Sequence, residues 1–368
     1  MPFEGLREFL LHLRAKGELA NVTKKIDANS SYEVSAILDR LQKNRGKAVI
    51  FEDLKNFDTP MCANVLGSFE RIGLALETSK EKLFSEWFQR KQSRWPTPKN
   101  VPEGVCNEVT VKEENVDLYR YPALKWNLRD GGRYITLGVL ISKDPETGQK
   151  NAGIYRLAVQ GKQQLGVNMM PERHVTAHYA KAEAKGKPLE VAVAIGLDPT
   201  VVLAAATDLQ LGEDELAFAG ALRGGPVKVT NCKTVDLEVP ASAEIVIEGV
   251  IPPKVRVLEG PFGESNRYYG KALLQPVLQV KCITHREKPI YQATYSGRAP
   301  QEEHFITAFN RVFPNGSSED SFSRKISFST LAFSAYGKLK THLTSKPVKP
   351  PGDDMYKVAQ NWTSYGLE

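Results

Sequence analysis

"NAGIYRLAVQ", residues 151–160, alternates: Gly153, Tyr155 and Leu157 fall on one face of an extended chain, and Ile154, Arg156 and Ala158 on the other. A run with a period of two and this content of Val, Ile, Leu and Tyr predicts a strand. "YITLGVLIS" (134–142) precedes it across the polar connection "KDPETGQKN" (143–151), which suits a hairpin. "LEVAVAIG" (189–196), "EIVIEGVI" (244–251) and "PVLQVKCI" (276–283) repeat the texture. Helical stretches near 172–185 and 214–222 interrupt them. Residues from Cys106 to about Ser296 therefore read as a β-rich domain with a few inserted helices.

The flanks read differently, and together they make the chain α+β. Leu6, Phe9, Leu10 and Leu13 at i, i+3, i+4 and i+7, followed by Gly17, predict an amphipathic first helix with a glycine stop. A second helix is expected over 32–43, where Ser30 and Glu33 have capping-box spacing. "AVIF" (48–51) is a short buried strand, and a third helix is expected over 79–91. The prolines of "WPTPKNVPEG" (95–104) mark a boundary. After about Gln301 the pattern weakens, although "ISFSTLAFSAYG" keeps apolar residues that suit a helix. The chain divides into 1–104, 105–307 and an atypical segment 308–368.

At 368 residues the chain can hold more than one domain, which permits an active site at a junction. Forty-nine basic against 43 acidic residues give a net charge of +6, spread along the chain rather than gathered on one face. That distribution argues against a nucleic-acid partner. No stretch reaches the roughly 18 apolar residues of a membrane span. The start of the chain, with Glu4, Glu8 and Glu18, does not read as a presequence, so the expected location is the cytoplasm. Cys62, Cys106, Cys232 and Cys282 are scattered without a CxxC and read as buried reduced thiols.

Candidate chemistry gathers at three places. In "VLEGPFGESN" (257–266), two glycines and a proline force a tight turn after the strand-like "KVRVL", so Glu259 closes the strand and Glu264 emerges from the turn. Either this is a solvated turn with surface glutamates, the commoner outcome, or crowding makes the two carboxylates an acid/base pair. Arg156, an arginine among apolar neighbours on a strand, needs a carboxylate, a phosphate or an open edge, and the residues leave both a site role and an edge-strand role standing. His174 and His178, at i and i+4 on a helix, fit a metal pair or, more commonly, packing histidines. "GALRGGP" is neither a P-loop nor a dinucleotide fingerprint, and no GxSxG occurs.

The ordered motifs "NAGIYR", "PERH", "GEDELAFAGALRG", "EVPASAEIVIEG" and "LEGPFGE", with "DGGRYITLG" (130–138) ahead of them, resemble the UbiD family of reversible decarboxylases, which use prenylated FMN. The likeness covers roughly residues 5–300. It implies a flavin-reductase-like split β-barrel between flanking α/β segments. It also implies a divalent metal, Mn2+ or Mg2+, held by Asn151, His174 and Glu215 against the cofactor phosphate, with K+ nearby. The cofactor residues would be Asn151, Ile154, Tyr155, Arg156, Arg173, His174 and Glu215, and His178 returns to a structural role. By the same resemblance Arg156 pairs with Glu259 and orients the substrate carboxylate, while Glu264 delivers the proton that replaces CO2.

The expected partners are a small carboxylic acid, CO2, a flavin prenyltransferase that supplies the cofactor, and further copies of the chain in a homodimer or larger homo-oligomer. Family members continue into a C-terminal α/β domain that closes over the cofactor, and residues 311–368 do not resemble it. Two other classes stay open. One is a flavin- or metal-binding subunit whose site needs a partner chain, and the other is a flavin reductase on the same barrel.

Overall fold

The structure, a computed structural model, describes residues 3–28, 32–44, 46–266, 268–297, 300–312 and 352–367. Helix α1 (Leu6–Ala15) buries Leu6, Phe9, Leu10 and Leu13, and Gly17 follows its end at φ +72°, the left-handed conformation that glycine adopts without strain. Strand β1 (Leu19–Val22), helix α2 (Glu33–Lys43), strands β2 (Ala48–Phe51) and β3 (Met61–Ala63), and helices α3 (Phe69–Ala75) and α4 (Leu83–Gln92) complete the first segment.

Two helix starts differ from expectation. Tyr32 occupies the N-cap of α2 without a side-chain cap bond, and Ser30 lies outside the described residues. The third expected helix begins at Leu83 rather than Ser79, because residues 79–82 form turns before the helical ladder starts. Helix α3, capped by the Ser68 hydroxyl accepting from Arg71 N, is only seven residues long. So short a helix offers too few positions for a periodic pattern to stand out.

The remaining strands are β4 (Lys99–Asn100), β5 (Val109–Lys112), β6 (Arg133–Lys143), β7 (Lys150–Gly161) and β8 (Gln164–Val167); helix α5 (His174–Ala184) precedes β9 (Leu189–Ile195). Helices α6 (Pro199–Ala205) and α7 (Glu215–Arg223) lead to β10 (Lys228–Asn231), β11 (Glu238–Pro240), β12 (Ile245–Ile251), β13 (Arg256–Glu259), β14 (Leu273–His285) and β15 (Tyr291–Ala293). Strands β12, β9, β6, β7, β8 and β14 pair antiparallel in that order, and β12 pairs with β14, which closes a six-stranded barrel. Strand β15 returns to the first segment and pairs parallel with β3, giving the sheet order β1-β2-β3-β15.

Alternation along the barrel strands separates two cores. Leu140, Leu157, Leu165, Val193, Ile247 and Leu278, one from each barrel strand, share one apolar cluster. Val139, Ile141, Ala192, Ala194 and Val246 face the other way, into a cluster with α1, α4, α6 and α7. The alanines on that face let the helices approach closely, and so bring the N-terminus of α7 beside β7.

Helices α8 (Glu302–Ile306) and α9 (Ala308–Val312) extend this second core, with Phe309 stacked on Trp87 at 3.8 Å. The apolar stretch "ISFSTLAFSAYG" lies outside the described residues. The helix Gly352–Gln360 packs against α2, where Lys357 Nζ donates to Glu33 Oε2 at 2.7 Å and Arg40 lies 4.5 Å from the Trp362 ring. Among the described residues no helix is long and apolar enough to cross a membrane.

Candidate functional site

Strand β7 carries candidate groups near its start and at its middle. Near its start, Asn151 meets the first residues of two helices: His174 opens α5 and Glu215 opens α7. His174 Nδ1 lies 3.0 Å from Asn151 Oδ1 and 3.8 Å from Glu215 Oε1, and Glu215 Oε2 accepts from Ala152 N at 2.8 Å. Burial pushes the Glu215 carboxyl up, while His174 and the Ala152 amide pull it back. Asn151 Nδ2 is buried with no hydrogen-bond partner.

An amide oxygen and a carboxylate oxygen thus stand 3.0 and 3.8 Å from one imidazole nitrogen, against ~3 Å between adjacent donors around a cation bound at ~2.1 Å. The donor types suit Mn2+ or Mg2+, and a cation would offset the cost of burying Glu215. Among the described residues no three His, Cys, Asp or Glu side chains form a metal-type cluster, so this set depends on its asparagine.

A pocket of about 350 Å³ opens over these donors, lined also by Gly153, Tyr155, Arg173 and the 205–209 segment. The Arg173 guanidinium lies 4.8 Å from the Tyr155 ring, and Arg173 Nη2 donates to Ile154 O at 3.2 Å. A Cβ at Gly153 would sit 2.8 Å from the Tyr155 ring, so glycine is what lets the pair lie against the strand. Ile154 does not line this pocket; its side chain packs into the helix-facing core.

The position of Glu215 depends on its neighbour. Asp214 caps α7 by accepting from Leu216 N at 2.8 Å and Ala217 N at 3.2 Å. Asp214→Ala is expected to lower stability by about 1 kcal/mol in chemical denaturation. His178 is buried, its Nδ1 2.9 Å from Ser142 Oγ, and is a packing residue. Cys62, Cys106 and Cys282 are buried free thiols, whereas Cys232 is only partly buried.

Farther along β7, Arg156 Nε and Nη2 donate to the two carboxylate oxygens of Glu259 at 2.9 and 2.8 Å, and Nη1 donates to Glu264. The Arg156 and Glu259 side chains are 12% and 1% exposed, against 32% for Glu264. Burial opposes the Arg156 charge, but the two carboxylates outweigh it and hold the guanidinium well above its usual range. The Phe262 ring lies 4.9 Å from the guanidinium. The stretch 257–266 is therefore no solvated turn: Glu259 ends β13 buried, and Glu264 remains partly exposed. Arg156 is no edge arginine, because β7 is paired on both sides.

Two groups here had no assigned role in the sequence reading. Asp130, in the "DGG" segment, accepts from Gly263 N at 2.9 Å and Asn127 N at 2.8 Å. Burial pushes its carboxyl up to about 7, with the Gly263 and Asn127 amides and, less strongly, Lys125 and Arg156 pulling it back. Glu303 of α8 accepts from Ser296 Oγ at 3.1 Å and Gly297 N at 3.2 Å, and burial with the neighbouring Glu264 and Glu302 pushes it up to about 8. No periodicity flags either group; the only sequence signal was the paired glycines after Asp130.

A larger pocket of about 410 Å³ lies beside α1, away from these groups. Its Arg7 and Arg286 pair with Glu244, Arg223 with Asp198 and Lys228 with Glu4, so it presents no free cationic cluster.

Comparison with known proteins places this geometry. Residues 99–299 match the model of the 3-octaprenyl-4-hydroxybenzoate carboxy-lyase Rift-related domain, and residues 10–91 that of the carboxy-lyase N-terminal domain. An uncharacterized protein of Archaeoglobus fulgidus is 40% identical over 334 residues, 85% of this chain and 68% of that protein. One of Synechocystis sp. is 36% identical over 84% of this chain and 66% of that protein. The chain therefore spans about two thirds of the length of these relatives. Among solved structures, the UbiD-class enzyme HmfF of Pelotomaculum thermopropionicum in complex with FMN is similar at a TM-score of 0.76 and 38% identity, over 83% of this chain and 68% of that one. The closed form of the vanillic acid decarboxylase of Sedimentibacter hydroxybenzoicus is similar at 0.81 and 30%, over 85% and 70%.

Proposed function

Because this chain belongs to the UbiD family of carboxy-lyases, we propose that it is a non-oxidative, reversible decarboxylase of an aromatic or α,β-unsaturated carboxylic acid that works with prenylated FMN. The observation that carries this reading is the placement of both clusters on one strand. Asn151 and Arg156 are five residues apart on β7, about 16 Å at ~3.3 Å per residue, which suits an extended flavin mononucleotide. Asn151, His174 and Glu215 would hold a divalent cation against the phosphate, with K+ nearby, and Tyr155 and Arg173 would line that end.

Bound prenylated FMN supplies the electron sink for the pair left behind when CO2 departs. The chain's own residues position the substrate and move the proton. A guanidinium has five N–H donors, and Arg156 spends three of them on Glu259 and Glu264, leaving two for a substrate carboxylate. Glu259, paired through both of its oxygens, keeps the planar guanidinium aimed. Glu264, the more exposed carboxyl, gives a proton to the carbon that has lost CO2, and takes one from it in the reverse direction.

Co-production with a flavin prenyltransferase tests the reading. The purified chain is expected to carry a flavin with the mass and absorbance of the prenylated form, and removal of divalent metal by a chelator is expected to weaken flavin retention at least about tenfold. Unmodified FMN alone would overturn the cofactor assignment. A second reading is a subunit whose site is completed by another chain. CO2 release that appears only when a second polypeptide is added would favour it.

A further inference from the structure

The carboxylate of Asp130 is buried and makes no ion pair among the described residues. Such a group costs stability unless something requires it. Its two oxygens face two backbone amides, Gly263 N at 2.9 Å and Asn127 N at 2.8 Å. An acceptor-only side chain matches that pair of donors, whereas an asparagine would turn its own NH2 toward one of them.

The contact joins two segments far apart in sequence. Gly131 N donates to Pro261 O at 2.7 Å, and Tyr134 Oη donates to the same carbonyl at 3.3 Å. A Cβ on Gly131 would stand 2.3 Å from Gly260 O, so the two backbones meet where only glycine fits. Behind Asp130, the Asn127 side chain donates to Ser296 O at 3.4 Å and accepts from Tyr295 Oη at 3.1 Å. The 260–263 turn is thereby fastened to the buried interior.

We propose that Asp130 is a positioning residue: it anchors the 260–263 turn so that Glu264 stays within reach of Arg156 and of the carbon to be protonated. The proposal rests on the proton-donor reading of Glu264, but it makes a claim about the turn that stands apart from turnover. Asp130 touches neither the Asn151, His174 and Glu215 donors nor the pocket above them, so its loss should leave flavin affinity intact.

The test uses the full chain and its Asp130→Ala and Asp130→Asn variants, with amide hydrogen exchange over residues 257–270, FMN affinity by fluorescence titration, and kcat and KM on the loaded enzyme. In Asp130→Ala the turn amides are expected to exchange at least about tenfold faster and kcat to fall at least about tenfold, while KM and FMN affinity stay within about twofold. Asp130→Asn, which keeps the acceptor for Gly263 N, is expected to lie between the two and remains informative if the alanine variant does not fold. Unchanged turn exchange in a folded variant would overturn the proposal, as would FMN affinity that falls in step with kcat. If the parent chain releases no CO2, the functional reading fails, while exchange and FMN affinity still decide the role of Asp130.

Discussion

Glu264→Gln is expected to lower kcat for CO2 release by about 10²- to 10⁴-fold, the range for removing a general acid, with flavin affinity within about twofold of the parent. Glutamine keeps the length of the side chain and an oxygen that can accept from Arg156 Nη1, so the arginine loses little of its surroundings. What it lacks is a transferable proton. Because Glu264 is 32% exposed, the change should leave the fold intact and the thermal midpoint nearly unmoved. Measured CO2 release at the parent rate in this variant would remove Glu264 from the proton step and send the search to neighbouring acids, with Glu303 the first to examine. Solvent exchange into the substrate's α- or ring-carbon position gives an independent reading of the same step.

Arg156→Met is expected to cost about 3–5 kcal/mol in chemical denaturation, because it leaves Glu259, 1% exposed, as a buried carboxylate stripped of both hydrogen bonds from its partner. Methionine fills most of the volume, so the loss would report the unpaired charge rather than a cavity. The double variant Arg156→Met with Glu259→Gln should recover a substantial part of the loss, since the remaining group is then neutral. Additive single and double losses would mean that the two side chains are not coupled in the way the bidentate geometry implies. Activity would stay absent in both members that carry Arg156→Met, whatever stability the double variant recovers, which separates stability from chemistry.

The strand β7 explains how much could be read in advance. Its alternation, its hairpin to β6 and the run of similar strands up to β14 follow from local preference and period, and the ends of β2, β9 and β12 fall within about one residue of those expected. The helices that open with His174 and Glu215 were legible for the same reason. Short pieces were not: α3 and α6 have seven residues each and β8 has four, too few for a period to declare itself. The motifs placed the candidate residues in order along the chain, yet order does not say which of them touch.

Local sequence thus determined where the longer strands and helices lie and that Arg156 would need either a partner or an open edge, because a guanidinium among apolar neighbours is costly alone. Tertiary structure decided the rest. Pairing of β12 with β14 closes the barrel, β15 joins a sheet formed more than two hundred residues earlier, and Asp130 meets Gly263 across 133 positions. These are long-range contacts whose energy comes from burial and from hydrogen bonds between distant segments, and neither is encoded in any window of neighbouring residues. The same contacts separate Glu259, sealed against Arg156, from Glu264, left partly exposed, although both belong to one turn of the chain.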